Sequence, residues 1–491
     1  MESFWNKEKK QRFNKINQDL STDVCIIGGG LTGLTTAFYL SKAGKKVIVL
    51  EKNKICDHTS GHTTGKITCQ HGLIYKYLAD SKGEDFAKKY LNANEQAIEN
   101  IGSIVKDEKI DCDFELQSSY VYTKDVSKVG ELKNEVQVSN KIGKHSKFID
   151  EIPLPIQIEG AIEFKNQAQF HPLKYANGLC DSIIQEKGNL IFEDSKATKI
   201  NKNHEDFEII VNDKKVTAKQ VVLATRYPIV NIPGFHFLKM YQSSSYAIVV
   251  DPKQKLEKGI YINAETPTIS FRTIKDGDSQ LLQVVGYDYK TGKEQENGYE
   301  ELLNVVKGIY PNSELKYKWE TEDCISLDKI PYIGMFSKLM PNMYVATGFN
   351  KWGMTSSNIA SKIISDNILG VKNEYEEVFK TTRMEPIKNR EEVKNMTEEA
   401  VKSIIFTKFT IPKETLNNVE NGEGKIIQVQ GEKIGVYKDD IGKIFQVKPV
   451  CTHLGCELSF NSQEKTWDCP CHGSRFNYKR ESLEAPSVRN L

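Results

Sequence analysis

Short apolar runs, closed off by glycine or charged residues, set the pattern of the first part of the chain. The earliest, Val24-Cys-Ile-Ile27 behind Asp23, stops at three consecutive glycines, and a helical pattern from Leu34 to Ser41 follows Gly33. An apolar run of this length between turn signals predicts a buried strand, so the segment reads as strand, tight turn and helix. Val47-Ile-Val-Leu50 predicts a second strand, ending at Glu51. Val221-Val-Leu-Ala-Thr225 predicts a later one, and Tyr344-Val-Ala-Thr-Gly348 another, followed by a glycine turn and a helix start at Gly353-Met354-Thr355. Residues 80–160 carry mostly amphipathic helical patterns, whereas residues 236–325 hold alternating runs, such as Tyr246–Val250 and Leu281–Val285, that predict strands. Between Glu374 and Thr407 glutamates alternate with lysines around Pro386, which predicts a linker with a helix. Beyond it, Ile426–Val429, Ile434–Tyr437 and Ile444–Val447 are short β runs separated by Gly, Asp and Lys turns, the pattern of a small antiparallel domain.

The 491 residues allow about three structural units. With 67 basic and 66 acidic side chains the net charge is +1, too weak a field to argue for nucleic acid or an anionic membrane as partner. Met1 to Gln18 is polar and lysine-rich, unlike a signal peptide, and no apolar stretch is long enough to span a bilayer. The expectation is a soluble, cytoplasmic protein with no transmembrane segment. Ten cysteines are too sparse for a disulfide scaffold; six are scattered, and four crowd between Cys451 and Cys471.

Two motifs carry chemistry. In the first, Gly28-x-Gly30-x-x-Gly33 lies between a strand and a helix, with Glu51 ending the next strand. The glycines let backbone approach a pyrophosphate, the helix N-terminus stabilises its charge, and the carboxylate accepts hydrogen bonds from a ribose. The motif predicts dinucleotide binding and leaves FAD and NAD both open. In the second, Cys451-Thr-His453-Leu-Gly-Cys456 is matched by Cys469-Pro-Cys471-His472-Gly-Ser474, so two loops each offer one Cys and one His in the same order. Such a Cys2His2 set suits tetrahedral zinc or a [2Fe–2S] centre in which two imidazoles replace two thiolates on one iron. Zinc fingers usually take a Cys pair from one turn and a His pair from another, which is not the arrangement here.

The paired loops resemble the Rieske pattern residue for residue. The resemblance implies that Cys451 and Cys469 hold the inner iron, His453 and His472 the outer iron, and that Cys456 and Cys471 form a disulfide joining the loops. Glu484-Ala-Pro486 resembles the proline-containing segment that covers the cluster. Members with high potentials place a Ser hydroxyl after the second His and a Tyr hydroxyl two residues later. Ser474 is present but Phe476 stands at the Tyr position, which implies a lower potential.

Residues 20 to 375 resemble the D-amino-acid-oxidase-like FAD oxidoreductases, on the early glycine motif, the strand ending at Thr225, Asp328-Lys-Ile-Pro-Tyr-Ile-Gly334, and Gly348 to Thr355. The resemblance assigns the first site to FAD. There is no second glycine fingerprint for NAD(P)H, so electrons are expected from a small organic substrate, an amine or amino acid. It implies that Ser60, Gly61, His62, Thr63, Thr64 and Lys66 approach the flavin ring and phosphates, with Lys66 near flavin N5 or the pyrophosphate. Thr225, Gly334, Gly348, Gly353, Met354 and Thr355 are expected beside the flavin, the last three as a helix N-terminus at its pyrimidine end. Phe271-Arg272 and Tyr241 fall on strands that face the flavin in this family, and the planar fork of Arg272 makes it the candidate for a substrate carboxylate. Cys324 lies near where some relatives attach flavin covalently, against the plainer reading of a buried inert thiol.

The expected fold is an α/β FAD-binding domain of Rossmann-like, glutathione-reductase type with an inserted α+β substrate domain, plus a small all-β Rieske domain. The flavoprotein part is expected over residues 1–375, with FAD-binding segments at about 20–80, 160–235 and 325–370 and substrate segments at about 81–160 and 236–324. A linker and helix at 376–406 precede the Rieske domain at 407–491. The whole order resembles bacterial fusions of FAD-dependent oxidoreductases with C-terminal Rieske domains. The function implied is oxidation of the substrate at FAD, with electrons passing singly through the cluster to an external acceptor, a protein or a quinone; the reverse flow, from a donor through the cluster to FAD, stays open. The rival reading is a redox-sensing module whose flavin part is not catalytic. A Rieske oxygenase would need a mononuclear iron site, and nine histidines with no His-x4-His pair do not favour one.

Overall fold

The computed structural model describes residues 3–8, 13–230, 233–293, 297–383 and 414–491. Most of the charged segment expected to join the domains lies outside the described residues; of it, the short helix Glu376–Phe379 is described.

The glycine motif sits at the centre of an eight-stranded sheet. Leu20–Ile27 pairs in parallel with Val47–Leu50 on one side and Lys214–Leu223 on the other, and Met340–Thr347 extends the parallel order beyond Lys214–Leu223. Side chains alternate between two cores. Val24, Ile26, Val47, Val49 and Val222 pack beneath helices Leu31–Lys42, Pro172–Gln185 and Gly353–Leu369. Cys25, Ile27, Ile48, Leu50, Val221 and Leu223 pack against Phe207, Ile209 and Val211 of an antiparallel strand on the opposite face. A parallel strand covered on both faces must be apolar at every position, which is why these runs lack polar alternation.

The second, nine-stranded sheet holds the long strands Met240–Asp251, Ser279–Lys290 and Glu314–Ser326. Residues 80–160 are mostly helical, as their pattern predicts, with strands set between and after the helices. Helices Glu84–Asp107 and Val129–Lys141 are present, but Glu115–Thr123 and Gly160–Gln169 are strands of this sheet. Tyr120-Val-Tyr-Thr123, aromatic and β-branched, is buried there, and tertiary pairing overrides the helical surroundings.

The C-terminal part is all-β. A three-stranded antiparallel sheet, Gly424–Val429, Glu432–Lys438 and Ile444–Val447, faces a four-stranded one formed by Ser459–Asn461, Thr466–Asp468, Arg475–Asn477 and Ser482–Glu484. The two Cys/His loops leave the same end, over buried Trp467 and Phe476. This domain docks closely on the first. A Cβ on Gly292, at φ +84°, would lie 2.7 Å from the backbone of Pro470, and one on Gly473, at φ +75°, would lie 2.6 Å from Cβ of Gln242. No helix among the described residues is long and apolar enough to cross a membrane.

Candidate flavin and cluster sites

The glycine turn is built for close approach. A Cβ on Gly33 would sit 1.9 Å from the carbonyl oxygen of Gly28, so the helix packs on its own turn only with glycine there. The helix Leu31–Lys42 has no side-chain cap from its N-cap residue Gly30, although Ser60 Oγ accepts from Leu31 N (3.1 Å). Glu51 is buried, and its carboxylate accepts from the amides of Gly29 (2.7 Å) and Asn53 (2.9 Å), which holds it at the sheet's edge beside the turn. A cavity of about 140 Å³ runs over Gly28, Gly30, Glu51 and Thr225. It shares walls at Gly30, Ser60 and Arg226 with a larger cavity of about 670 Å³.

The larger cavity is lined by Thr63, Thr64, Lys66, Gly348, Gly353 and Met354 from the expected set. The helix Gly353–Leu369 starts there without a side-chain cap, leaving its first N–H groups to an anion. Lys66 is buried; burial, with Arg272 nearby, drives its ammonium well below the usual lysine range. The second sheet adds Tyr241, Ser243 and Ser245 on one strand, Asp323 on its neighbour and Asp288, which pairs with Lys351 (3.1 Å) from the turn before helix Gly353–Leu369. Burial raises the Asp323 carboxyl above its ordinary value.

Several expected residues stand elsewhere. Arg272 does not line the cavity: its guanidinium donates to the carbonyls of Thr64 (2.7 Å), Phe170 (3.2 Å) and Thr273 (3.1 Å) and lies over the ring of Trp5. With its donors taken by backbone it secures the Gly/Ser/Thr loop, and desolvation brings it down to about 9. Gly61 packs against Cys56, since a Cβ there would meet the Cys56 carbonyl at 2.1 Å. His62 offers its carbonyl to Trp319 Nε1 (2.9 Å). Thr355 Oγ1 faces buried His71 (3.4 Å), and Gly334 lies in a strand opposite Val345; none of these four lines either cavity. Cys324 lines the larger cavity but is buried, and its thiol is pushed up to about 12, which suits the inert reading.

The two C-terminal loops close in the same way. Gly455 N donates to Cys451 O (3.0 Å) and Gly473 N to Cys469 O (2.8 Å). The amides of His453 and Leu454 point at the Cys451 sulfur, and those of Cys471 and His472 at the Cys469 sulfur. Cys456 and Cys471 form a disulfide between the loops. The sulfurs of Cys456, Cys469 and Cys471 lie within 4.8 Å of one another, but the bonded pair has no thiolate to give. Two thiols therefore remain, Cys451 and Cys469, beside the rings of His453 and His472, whose centroids are 5.2 Å apart. Two sulfurs sheltered by amides and two imidazoles side by side fit a [2Fe–2S] cluster with mixed ligands.

Comparison with known proteins agrees with both sites. Residues 23–367 match the family described as FAD dependent oxidoreductase (DAO), and residues 411–491 match the Rieske [2Fe-2S] domain. The chain belongs to the FAD dependent oxidoreductase family and carries a Rieske domain. It is 34% identical over 494 residues to the Rieske 2Fe-2S iron-sulfur protein YhfW of Bacillus subtilis, covering 100% of this chain and 97% of that one. It is 24% identical to gamma-glutamylputrescine oxidoreductase of Escherichia coli, covering 73% of this chain and 86% of that protein. The fold is similar to that of glycine oxidase from Geobacillus kaustophilus, at TM-score 0.64 and 16% identity over 74% of this chain and 100% of the other.

This FAD dependent oxidoreductase is thus a protein of FAD and a Rieske [2Fe-2S] cluster, for which the glycine turn with its two joined cavities and the paired C-terminal loops are the candidate sites. Ser474 Oγ accepts from Ser487 N (3.1 Å) and directs its own proton to the Cys451 sulfur. Phe476 is fully buried in the same core and offers no donor. Each hydrogen bond to a cluster sulfur stabilises the reduced, more negative state. Redox titration should place this cluster below the upper end of the Rieske range of roughly −150 to +300 mV, and Phe476→Tyr should raise it. A wild-type value at the upper end, unchanged by the substitution, would refute this.

Proposed function

We propose that this protein oxidises a small amine or amino acid in the larger cavity and releases the two electrons singly through its Rieske cluster to an external acceptor, a protein or a quinone. In this reading residues 1–375 form the oxidising unit, 376–406 the join and 407–491 the outlet. The FAD is held by Gly28, Gly30, Gly33, Glu51 and the wall from Thr63 to Lys66; Cys451 and Cys469 ligate the inner iron, His453 and His472 the outer. FAD supplies the two-electron acceptor that turns CH–NH into C=N, and the cluster supplies a one-electron carrier.

The protein's own part is placement. Ser243, Ser245, Asp323, Asp288 and Lys351 give the cavity a polar wall for the amine and its substituents, and Lys66 lines the same cavity from the Gly/Ser/Thr loop. Arg272 being engaged by backbone favours an amine held by the aspartates over a carboxylate held by that arginine.

One observation carries the electron route. On the strand Met240–Asp251, Tyr241 and Ser243 line the cavity, and Gln242 between them points to the other side. There its Nε2 donates to the carbonyls of His472 (2.6 Å) and Ala485 (2.9 Å). A single residue separates the cavity from a cluster loop. His472 is buried at this contact, whereas Leu454, beside His453, is 45% exposed. Electrons would thus enter on the His472 side and leave on the His453 side.

Anaerobic rapid mixing with a panel of amines and amino acids tests this. A true substrate bleaches the flavin, and the reduced-cluster EPR signal then rises at least as fast as turnover. A cluster that stays oxidised would favour the redox-sensor reading. Gln242→Leu leaves the buried carbonyl of His472 without its donor, at roughly 1–3 kcal/mol, and the partly buried carbonyl of Ala485 as well. The variant should bleach normally yet reduce its cluster several-fold more slowly.

A further inference from the structure

The smaller cavity has an unexpected wall. Facing Gly28, Gly30 and Glu51 across it are Ser482, Leu483, Glu484, Ala485, Ser487 and Val488, all from the Rieske domain. The dinucleotide half of the FAD site is therefore bounded by two domains. Glu484 is the polar centre of the second wall, with its side chain 13% exposed. One carboxylate oxygen receives His58 Nδ1 (2.7 Å) and lies 3.6 Å from Lys52 Nζ; the other receives Arg226 (2.9 Å). Lys52 also donates to the carbonyl of Leu483. All three partners belong to the cavity's own lining: Lys52 follows Glu51, His58 precedes the Ser60 loop, and Arg226 follows Thr225. Every partner of this carboxylate thus stands in the wall of the cavity that also holds Gly28, Gly30 and Glu51.

We propose that segment 482–488 of the Rieske domain completes the site for the adenine-nucleotide half of FAD, with Glu484 as a latch, so that FAD retention and docking of the cluster domain are coupled. The physical argument is linkage. If FAD binds better when the wall is in place, docking must be favoured by FAD by the same factor. The wall excludes water from the groove, and the latch holds Lys52, His58 and Arg226 in one arrangement, so the ordering cost of those long side chains is met before the nucleotide arrives. Docking also places Gln242 on the His472 loop, so the protein that retains FAD is the one whose cluster stands beside the cavity. The inference rests on the FAD and Rieske sites and is independent of which substrate is oxidised.

The full-length holoprotein provides the test. Glu484→Gln keeps the shape and removes the charge; Glu484→Ala removes both. Each should lose FAD faster on gel filtration and bind it more weakly, by roughly 5- to 150-fold, the usual span of coupling between sites. The visible circular dichroism of the cluster should persist in both. Asp440→Asn, at an exposed pair with Lys465 in the same domain, is the control and should retain FAD normally. The second arm needs no variant. In FAD-depleted wild-type protein, backbone hydrogen exchange of 482–488 should slow when FAD or ADP is added and should not respond to FMN, which lacks the adenine nucleotide. Unchanged or tighter FAD binding in both Glu484 variants with the cluster intact, or exchange in 482–488 indifferent to FAD, would overturn the proposal. Neither outcome bears on substrate turnover, so its failure is distinguishable from failure of the proposed reaction.

Discussion

Arg475→Leu is expected to release the Rieske domain from the flavin domain and to be the most damaging single change at their boundary. Arg475 is almost wholly buried. Its Nε lies 3.0 Å from Asp468, one terminal nitrogen pairs with Glu320 (3.1 Å) and with Glu322, and the other donates to Thr466 Oγ1 (3.1 Å). Asp468 belongs to the Rieske domain and the two glutamates to the strand Glu314–Ser326 of the second sheet, so one guanidinium neutralises carboxylates from both sides. Removing it leaves Glu320 and Asp468 buried without their cation and Glu322 with Arg226 alone, a loss of roughly 3–5 kcal/mol when one member of a buried ion pair is deleted. The sign of the pH dependence follows from Glu320. Burial pushes its carboxyl up to about 7 even beside Arg475, so the folded protein holds this proton more tightly than the unfolded chain does. Stability from that group is lost as pH rises from the ordinary carboxyl value towards 7. The variant should therefore unfold or undock more readily at pH 8 than at pH 5. Thermal melts followed separately through flavin fluorescence and cluster absorbance would check it; a melt unchanged at both pH values would refute the interface.

His453→Leu is expected to abolish the Rieske spectrum while leaving FAD bound. The two sites share a boundary but no ligand: His453 lies in the loop from Cys451 to Cys456, away from the glycine turn and both cavities. Losing one imidazole leaves the outer iron with a single protein ligand, too few to hold it. EPR of the reduced protein, iron and sulfide analysis, and flavin absorbance measured on one sample would decide it. If the cluster signal and the flavin both survive, the ligand assignment fails.

Much of this was legible because two constraints act over a few residues. Gly28, Gly30 and Gly33 are required by the width of one turn, and Glu51 by its distance along a parallel strand, so local spacing was enough. The cluster loops are equally local, each with its Cys and His within four residues. What local spacing does not carry is which way a strand side chain points after long-range pairing. Arg272 and Tyr241 both occur on strands expected to face the flavin; Tyr241 lines the cavity, whereas Arg272 turns to the carbonyls of Thr64 and Phe170. Ser243-Ser-Ser245 carried a signal that was available: hydroxyls inside an otherwise apolar strand are costly unless they face a polar space. Arg226, Glu322, Glu484 and Arg475 had no such signal. Their meaning lies in contacts between residues 96 to 258 positions apart, and each alone reads as an ordinary surface charge.

The chain order of that interface has a consequence for biosynthesis. The glycine turn leaves the ribosome early, and its sheet waits for Lys214–Leu223 and Met340–Thr347 before its parallel core can close. Segment 482–488 emerges later still. Domains tend to fold in order of emergence, so a nascent flavoprotein would present an open groove until the Rieske domain arrives to seal it. Flavin loaded early would remain exchangeable, and durable loading would report that the chain had been translated through its cluster domain.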